Sequence, residues 1–287
     1  MVSICFKSLN QKTINNLESL LEKNNIKNII YTKRKFKIYY NLIIHFTGNN
    51  PSIFYKKLSD FFGQYIINNY EQKIIKSQLV LDFFYFSAIE QEEIFNILKY
   101  KLQEEMIRNK KIIILNKTIN SHIINDKKIY VDGFINFRIF DYKNYLNTIL
   151  ETEIHEFIIQ KEYIQYVDLL RDYIKEKNNN NENHAELIHL FYSNSEKTIL
   201  DKNYNVITTT YEKKYLSDIS FSENDFILNS ILSLMPKEII LHTNNKDDNF
   251  IIFLQKIFEN KINYCNNCSI CQNNQIIINN NIDIKNN

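Results

Sequence analysis

The sequence predicts an α+β protein: a helical central region between an N-terminal α/β module and a C-terminal β-hairpin followed by a βαβ unit. Three observations carry this. Apolar residues recur in steps of three and four at Tyr142, Tyr145, Leu146, Ile149, Leu150, Ile154, Phe157 and Ile158. After a short break they resume at Tyr163, Tyr166, Val167, Leu170, Tyr173 and Ile174, which is the spacing of two successive amphipathic helices. Short runs rich in β-branched and aromatic residues flank this centre on both sides, as strands require. The 287-residue length suffices for one large domain or two small ones. The expected segments are 1–86, an α/β module; 87–177, the helical region; 178–272, the C-terminal α/β unit; and 273–287, a polar tail.

Taken in order, residues 2–6 read as a strand and 13–23 as a helix carrying Ile14, Leu17, Leu20 and Leu21. Residues 29–31 and 36–46 read as antiparallel strands joined by a turn at Thr32-Lys33-Arg34-Lys35. Gly48-Asn49-Asn50-Pro51 closes that unit and starts a helix with Phe54, Tyr55, Leu58, Phe61 and Phe62, which runs on past Gly63 toward Leu81. A further helix is expected over 87–106, while 111–131 fits a buried strand or a helix equally. Asn178–Asn181 breaks the helical centre. Beyond it, 185–192 and 197–208 read as a hairpin, 223–234 as a helix, 238–242 as a strand, 247–258 as a helix and 261–264 as a strand. The Asn/Ile-rich tail from Asn273 reads as disordered or as an added edge strand.

Formal net charge is only +2, so no global field points to nucleic acid or an acidic membrane. The distribution is uneven: residues 1–129 carry net +9 and the remainder net −7. Ile, Asn and Lys abound while Gly numbers 3, Pro 2 and Trp 0, a bias of the kind that AT-rich codons impose. Asn runs and Lys clusters therefore carry little information, and the few Gly and Arg positions carry more. No stretch approaches the roughly 18–20 consecutive apolar residues of a membrane span, and residues 1–7 lack the pattern of a signal peptide. Three of the four cysteines lie within seven residues, unlike a secreted disulfide framework, so a reducing cytoplasm is expected.

Four features bear on chemistry. Lys33-Arg34-Lys35-Phe36-Lys37, with Tyr31, Tyr39 and Tyr40, interleaves cations with aromatics as single-strand binders do; in this Lys-rich chain it reads first as a solvated edge, and nucleic acid is not the expected partner. Asp132-Gly133-Phe134-Ile135-Asn136-Phe137-Arg138 reads as a short helix that Asp132 caps. Arg138 and Arg171 are expected to pair with Asp132, Asp141, Glu162 or Asp168, with anion binding through the guanidinium fork as the alternative. His155 and His45 lack nucleophile partners, and no Gly-rich phosphate loop, nucleophile elbow or HExxH motif occurs, so nothing makes a positive case for an enzyme.

The fourth is Cys265-Asn-Asn-Cys268-Ser-Ile-Cys271. Thiolates at this spacing hold Zn²⁺ or part of an iron–sulfur cluster. A βαβ crossover makes strands 238–242 and 261–264 parallel, so both end on one sheet edge. His242 closes the first and Cys265 follows the second, which completes a Cys₃His set for a structural zinc. Free thiols beside an ordinary strand-end histidine are the alternative.

The segment 131–173 resembles the YtxC-like family, sporulation proteins of spore-forming Firmicutes. The residues carrying the resemblance are Asp132-Gly133-Phe134, Phe137-Arg138, Tyr142, Glu156-Phe157, Lys161-Glu162-Tyr163 and Leu169-Leu170-Arg171. It continues through 225–230 and Met235-Pro236-Lys237-Glu238-Ile239-Ile240-Leu241-His242 to the cysteines. The resemblance implies a cytoplasmic, sporulation-associated protein and supplies no catalytic residues. The expectation is a non-enzymatic protein acting through an unidentified protein partner; the competing class is a zinc- or nucleic-acid-binding module.

Overall fold

A computed structural model describes residues 2–24, 26–179, 184–193, 197–207, 222–266 and 268–272. The chain divides into two compact units, Met1–Ile159 and Gln160–Asn287. The class is α+β, with a four-stranded sheet in each unit.

In the first unit, β1 (Val2–Ser8), α1 (Gln11–Lys23), β2 (Ile29–Phe36) and β3 (Tyr39–Phe46) open the chain. The sheet is completed by β4 (Lys128–Tyr130) in the order β2-β3-β1-β4, with β1 antiparallel to β3 and parallel to β4. The β2–β3 turn falls at Lys37-Ile38, not at residues 32–35: Lys37 adopts φ 53°, and Thr32–Phe36 stay paired with β3. Lys37 takes the left-handed conformation that Gly or Asn usually supplies, so the turn left no residue signal. The basic–aromatic stretch thus lies on an edge strand, where Lys33 pairs with Glu18 and the Lys35 ammonium sits 5.1 Å over the Tyr40 ring.

Asn50 caps α2 (Pro51–Asp82) by accepting from the Ile53 amide, and Pro51 occupies the first turn where no amide is needed. The helix carries Phe54, Leu58, Phe61, Phe62, Tyr65 and Ile66 into the core. There Phe46 stacks on Phe54 at 4.8 Å and Phe62 meets Phe6 at 5.0 Å. A Ser87–Glu90 capping box starts α3 (Ala88–Lys101), which ends before Met106. The ambiguous stretch is α4 (Glu105–Asp126), with Lys111, Leu115, Ile119 and Ile123 buried at steps of four. α5 (Val131–Phe137) follows β4 directly. Asp132 sits in its first turn but is not its cap; its carboxylate instead accepts from the buried Ser8 hydroxyl at 2.9 Å.

The central helices are one, α6 (Phe140–Asn179). Tyr142, Leu146, Ile149, Leu150 and Ile154 are buried in the first unit's core, and Phe157 and Ile158 are half-buried against it. Val167, Leu170 and Ile174 are buried in the second unit's core. The break in the apolar pattern is therefore the point where the helix passes from one core to the other. Tyr163, Tyr166 and Tyr173 stay exposed, because the stripe after the break narrows to a single row. Val167, Leu170 and Ile174, spaced by three and then four residues, form that row.

In the second unit, β5 (Leu187–Tyr192), β6 (Lys197–Asp201), β7 (Glu238–His242) and β8 (Ile262–Tyr264) form a sheet in the order β6-β5-β7-β8. β5 pairs antiparallel with β6, and the pairs β5·β7 and β7·β8 are parallel. A Ser222–Asp225 capping box starts α7 (Glu223–Leu234), and α8 (Asn249–Phe258) crosses between β7 and β8. Ile231, Ile239, Leu241, Ile251 and Leu254 fill the core. Thr208 and the tail from Asn273 lie outside the described residues. Among the described residues no helix is long and apolar enough to cross a membrane.

Candidate metal centre

The parallel β7·β8 pair places the centre. Leu241 is registered opposite Tyr264, and the Cys265 amide donates to the Leu241 carbonyl at 2.9 Å, so Cys265 leaves the sheet beside His242. The chain then turns back: the Cys268 amide donates to the Cys265 sulfur at 3.3 Å, and a single helical turn carries Cys271 inward. His242, Cys265, Cys268 and Cys271 offer four ligand atoms, all within 4.8 Å of one another.

The separations discriminate between possible states. Sulfur–sulfur distances are 3.8 Å for Cys265–Cys271 and 3.7 Å for Cys268–Cys271. Disulfides need about 2.05 Å, so these thiols are unbonded to each other. With Zn–S bonds of about 2.3 Å, the sulfurs of a tetrahedral site stand about 3.8 Å apart. The His242 Nδ1 lies 3.0 Å from the Cys271 sulfur and 3.7 Å from that of Cys268, close enough to serve as a fourth donor. Four donors of this softness and spacing suit zinc.

His242 is held from two further sides. Its ring stacks on Phe191 at 4.0 Å, with 7° between planes. Its Nε2 faces the Nδ1 of His189 at 3.0 Å, and both imidazoles are nearly inaccessible. Burial, with a smaller push from His189, lowers the His242 pKa to about 4, so the ring is neutral near pH 7, as ligation requires. Burial also lowers the pKa of His189. If Nδ1 ligates a metal, the proton of neutral His242 belongs on Nε2 and is donated to His189. His189 then accepts at Nδ1 and carries its own proton on Nε2.

The thiols repel one another's charge. Burial and the neighbouring Cys268 and Cys265 push the Cys271 thiol up to about 12. Burial also opposes ionisation of Cys268, but hydrogen bonds from the Cys271 and Ile270 amides and the adjacent thiols outweigh it and lower its pKa. A divalent cation among them would relieve this crowding of negative charge.

The other signature residues are not gathered here. Arg171 is architectural within the second unit: its Nε donates to the Lys256 carbonyl at 2.7 Å and lies 3.1 Å from Glu259, and its Nη1 reaches Asp168 at 3.3 Å. Arg138 departs from expectation. It lines an open cleft with Gly133 in the first unit and makes no ion pair among the described residues, while the Asp132 carboxylate accepts from Ser8 instead. His155 is exposed on α6, and His45 hydrogen-bonds Ser3 at 2.7 Å.

Sequence reading missed two groups. His189 carried one signal, a polar residue inside the apolar run Leu-Ile-His-Leu-Phe. The other is a buried polar network in the first unit: the Lys111 ammonium lies 2.9 Å from the Glu71 carboxylate and 3.0 Å from the Leu102 carbonyl, and the Tyr142 hydroxyl donates to the same carboxylate. Burial, with the Glu71 charge, raises the Tyr142 pKa and keeps the phenol protonated.

A family model described as the YtxC-like family matches residues 56–263. That span contains His242 and stops just short of the three cysteines. The chain is also 22% identical over 136 residues to the "Uncharacterized protein YtxC" of Bacillus subtilis (strain 168). The match covers 46% of this chain and 47% of that protein, so the chain spans about half the length of this curated relative. No solved structure matches the chain.

Proposed function

Since the chain belongs to the YtxC-like family, which its model covers over residues 56–263, we propose a zinc-binding, sporulation-associated protein without catalytic chemistry, acting in the cytoplasm through a protein partner. The observation that carries the zinc reading is the Cys265, Cys268, Cys271 and His242 cluster, in which the two sulfur–sulfur edges at Cys271, 3.8 and 3.7 Å, fit a tetrahedral site. The four protein donors fill every corner of that site and leave none for water, so the ion's role is structural, as in other closed sites. It ties β7, β8 and the segment after β8 together where few apolar residues are available to do so. The sporulation role and the partner rest on the family resemblance.

Elemental analysis of the full chain, purified without chelator, tests the centre. About one zinc per chain is expected. Cys268→Ser or His242→Ala should lower both the zinc content and the resistance of the second unit to unfolding. Substoichiometric zinc and iron in a folded protein would exclude the four-ligand site.

A further inference from the structure

The first unit contains a second place with chemistry, independent of the metal reading. A cleft of about 640 Å³ opens among the end of α4, β4 and α5. This volume lies within the range of small-molecule sites. Two cations line it, Lys128 from β4 and Arg138 just after α5, and neither makes an ion pair among the described residues. The only carboxylate on its wall, Asp126, is held 3.0 Å from the His122 ring. The other nitrogen of that ring is bonded to the Lys128 carbonyl at 3.2 Å, so the imidazole is fixed as part of the wall.

Two aromatic side chains stand open at the cleft. Phe137 is 81% exposed and Tyr130 is 48% exposed, and both border the cleft. The Lys7 ammonium, 5.3 Å over the Tyr130 ring, adds further positive charge nearby. Gly133 supplies the independent pointer. The chain has only three glycines, and packing explains the other two. A Cβ on Gly48 would meet the Phe46 ring at 2.5 Å, and one on Gly63 would meet the Asn116 side chain at 2.9 Å. A Cβ on Gly133 would meet nothing closer than Tyr130 at 3.9 Å, and the residue is helical. In a helix, glycine costs stability relative to alanine, so neither backbone nor packing accounts for it. What its missing side chain leaves open is the cleft.

We propose that this cleft binds a small anionic ligand: a phosphate or carboxylate head group on Arg138 and Lys128, and a planar body against Tyr130 and Phe137 over Gly133. A guanidinium offers a planar fork matched to either head group, and an aromatic face accepts a flat, weakly polar body. The lack of a carboxylate partner for Arg138 leaves its donors available.

Calorimetric titration of the full chain tests this with three probes: adenosine monophosphate, benzoate and uncharged adenosine. Saturable binding of one or both anions, without binding of adenosine, is expected, and the anion preferred identifies the head group. Arg138→Gln and Lys128→Gln should each weaken that binding about tenfold or more, as loss of a charge-assisted hydrogen bond does. Gly133→Leu should abolish it while leaving the melting temperature at or above that of the parent, since a Cβ there meets nothing closer than Tyr130 at 3.9 Å and leucine favours the helix. Failure of both anions to bind would overturn the proposal. So would binding that Arg138→Gln and Gly133→Leu leave unchanged in folded protein.

Discussion

Lys111 offers the sharpest test of how the first unit is held together. Its side chain is 1% exposed, with the ammonium bonded to the Glu71 carboxylate and the Leu102 carbonyl, and Glu71 also accepts from Tyr142. Lys111→Met keeps most of the volume but strands a buried carboxylate with one neutral donor. Breaking a buried pair this way costs about 3–5 kcal/mol, far more than an exposed pair at 0–1 kcal/mol. The triple change Glu71→Met, Lys111→Met, Tyr142→Phe removes every side-chain charge and hydroxyl of the network together. It should regain most of that loss, because well-packed apolar replacements of buried pairs are often neutral or stabilising. Urea unfolding followed by circular dichroism measures both variants, and hydrogen exchange in α2 and α4 assigns the change to this unit. If Lys111→Met lay within about 1 kcal/mol of the parent, the ammonium would be solvated and the pair would not be a buried one. A triple variant weaker than the single would refute the same reasoning from the other side.

Two further outcomes follow from the second unit. His189→Ala should lower zinc affinity about 10–100-fold, as loss of an outer hydrogen-bond partner of a ligating histidine does, and should change the visible spectrum of the cobalt-substituted protein; competition with a chromogenic chelator measures the affinity. Leu170→Ala should cost about 2–5 kcal/mol while its exposed neighbour Leu169→Ala stays within about 0.5 kcal/mol, and denaturant midpoints that fail to separate them would contradict the placement of α6.

The gathering of His242 with the three cysteines was legible in the sequence because two local rules met there. A strand–helix–strand order forces parallel pairing, and the close spacing of the cysteines does the rest. The long helix was legible as two, since a periodicity that changes face is indistinguishable from one that stops. Only the cores show that residues before Ile159 and after Gln160 serve different interiors. The β2–β3 turn escaped notice because Lys37 adopts a left-handed conformation without the residue that normally announces it. Lys111 escaped because charge at a helical core position is a tertiary solution: nothing within α4 reveals that Glu71 waits on α2. Arg138 is expected in an ion pair on general frequency, and among the described residues it makes none. In each case the missing information was contact between segments distant in sequence.

The edge strand β8 has only three residues, paired to β7 on one side. So short a strand frays readily, and its loss would bare the backbone of β7, whose Glu-Ile-Ile-Leu-His run is the kind that recruits other chains by strand addition. The cysteine turn following β8 extends its pairing to β7 by one bond, from the Cys265 amide to the Leu241 carbonyl. If zinc holds that turn, its supply governs more than the local shape of a loop: in starved cells the protein would present an adhesive sheet border to proteases and to copies of itself. Its abundance would fall before its fold was lost elsewhere.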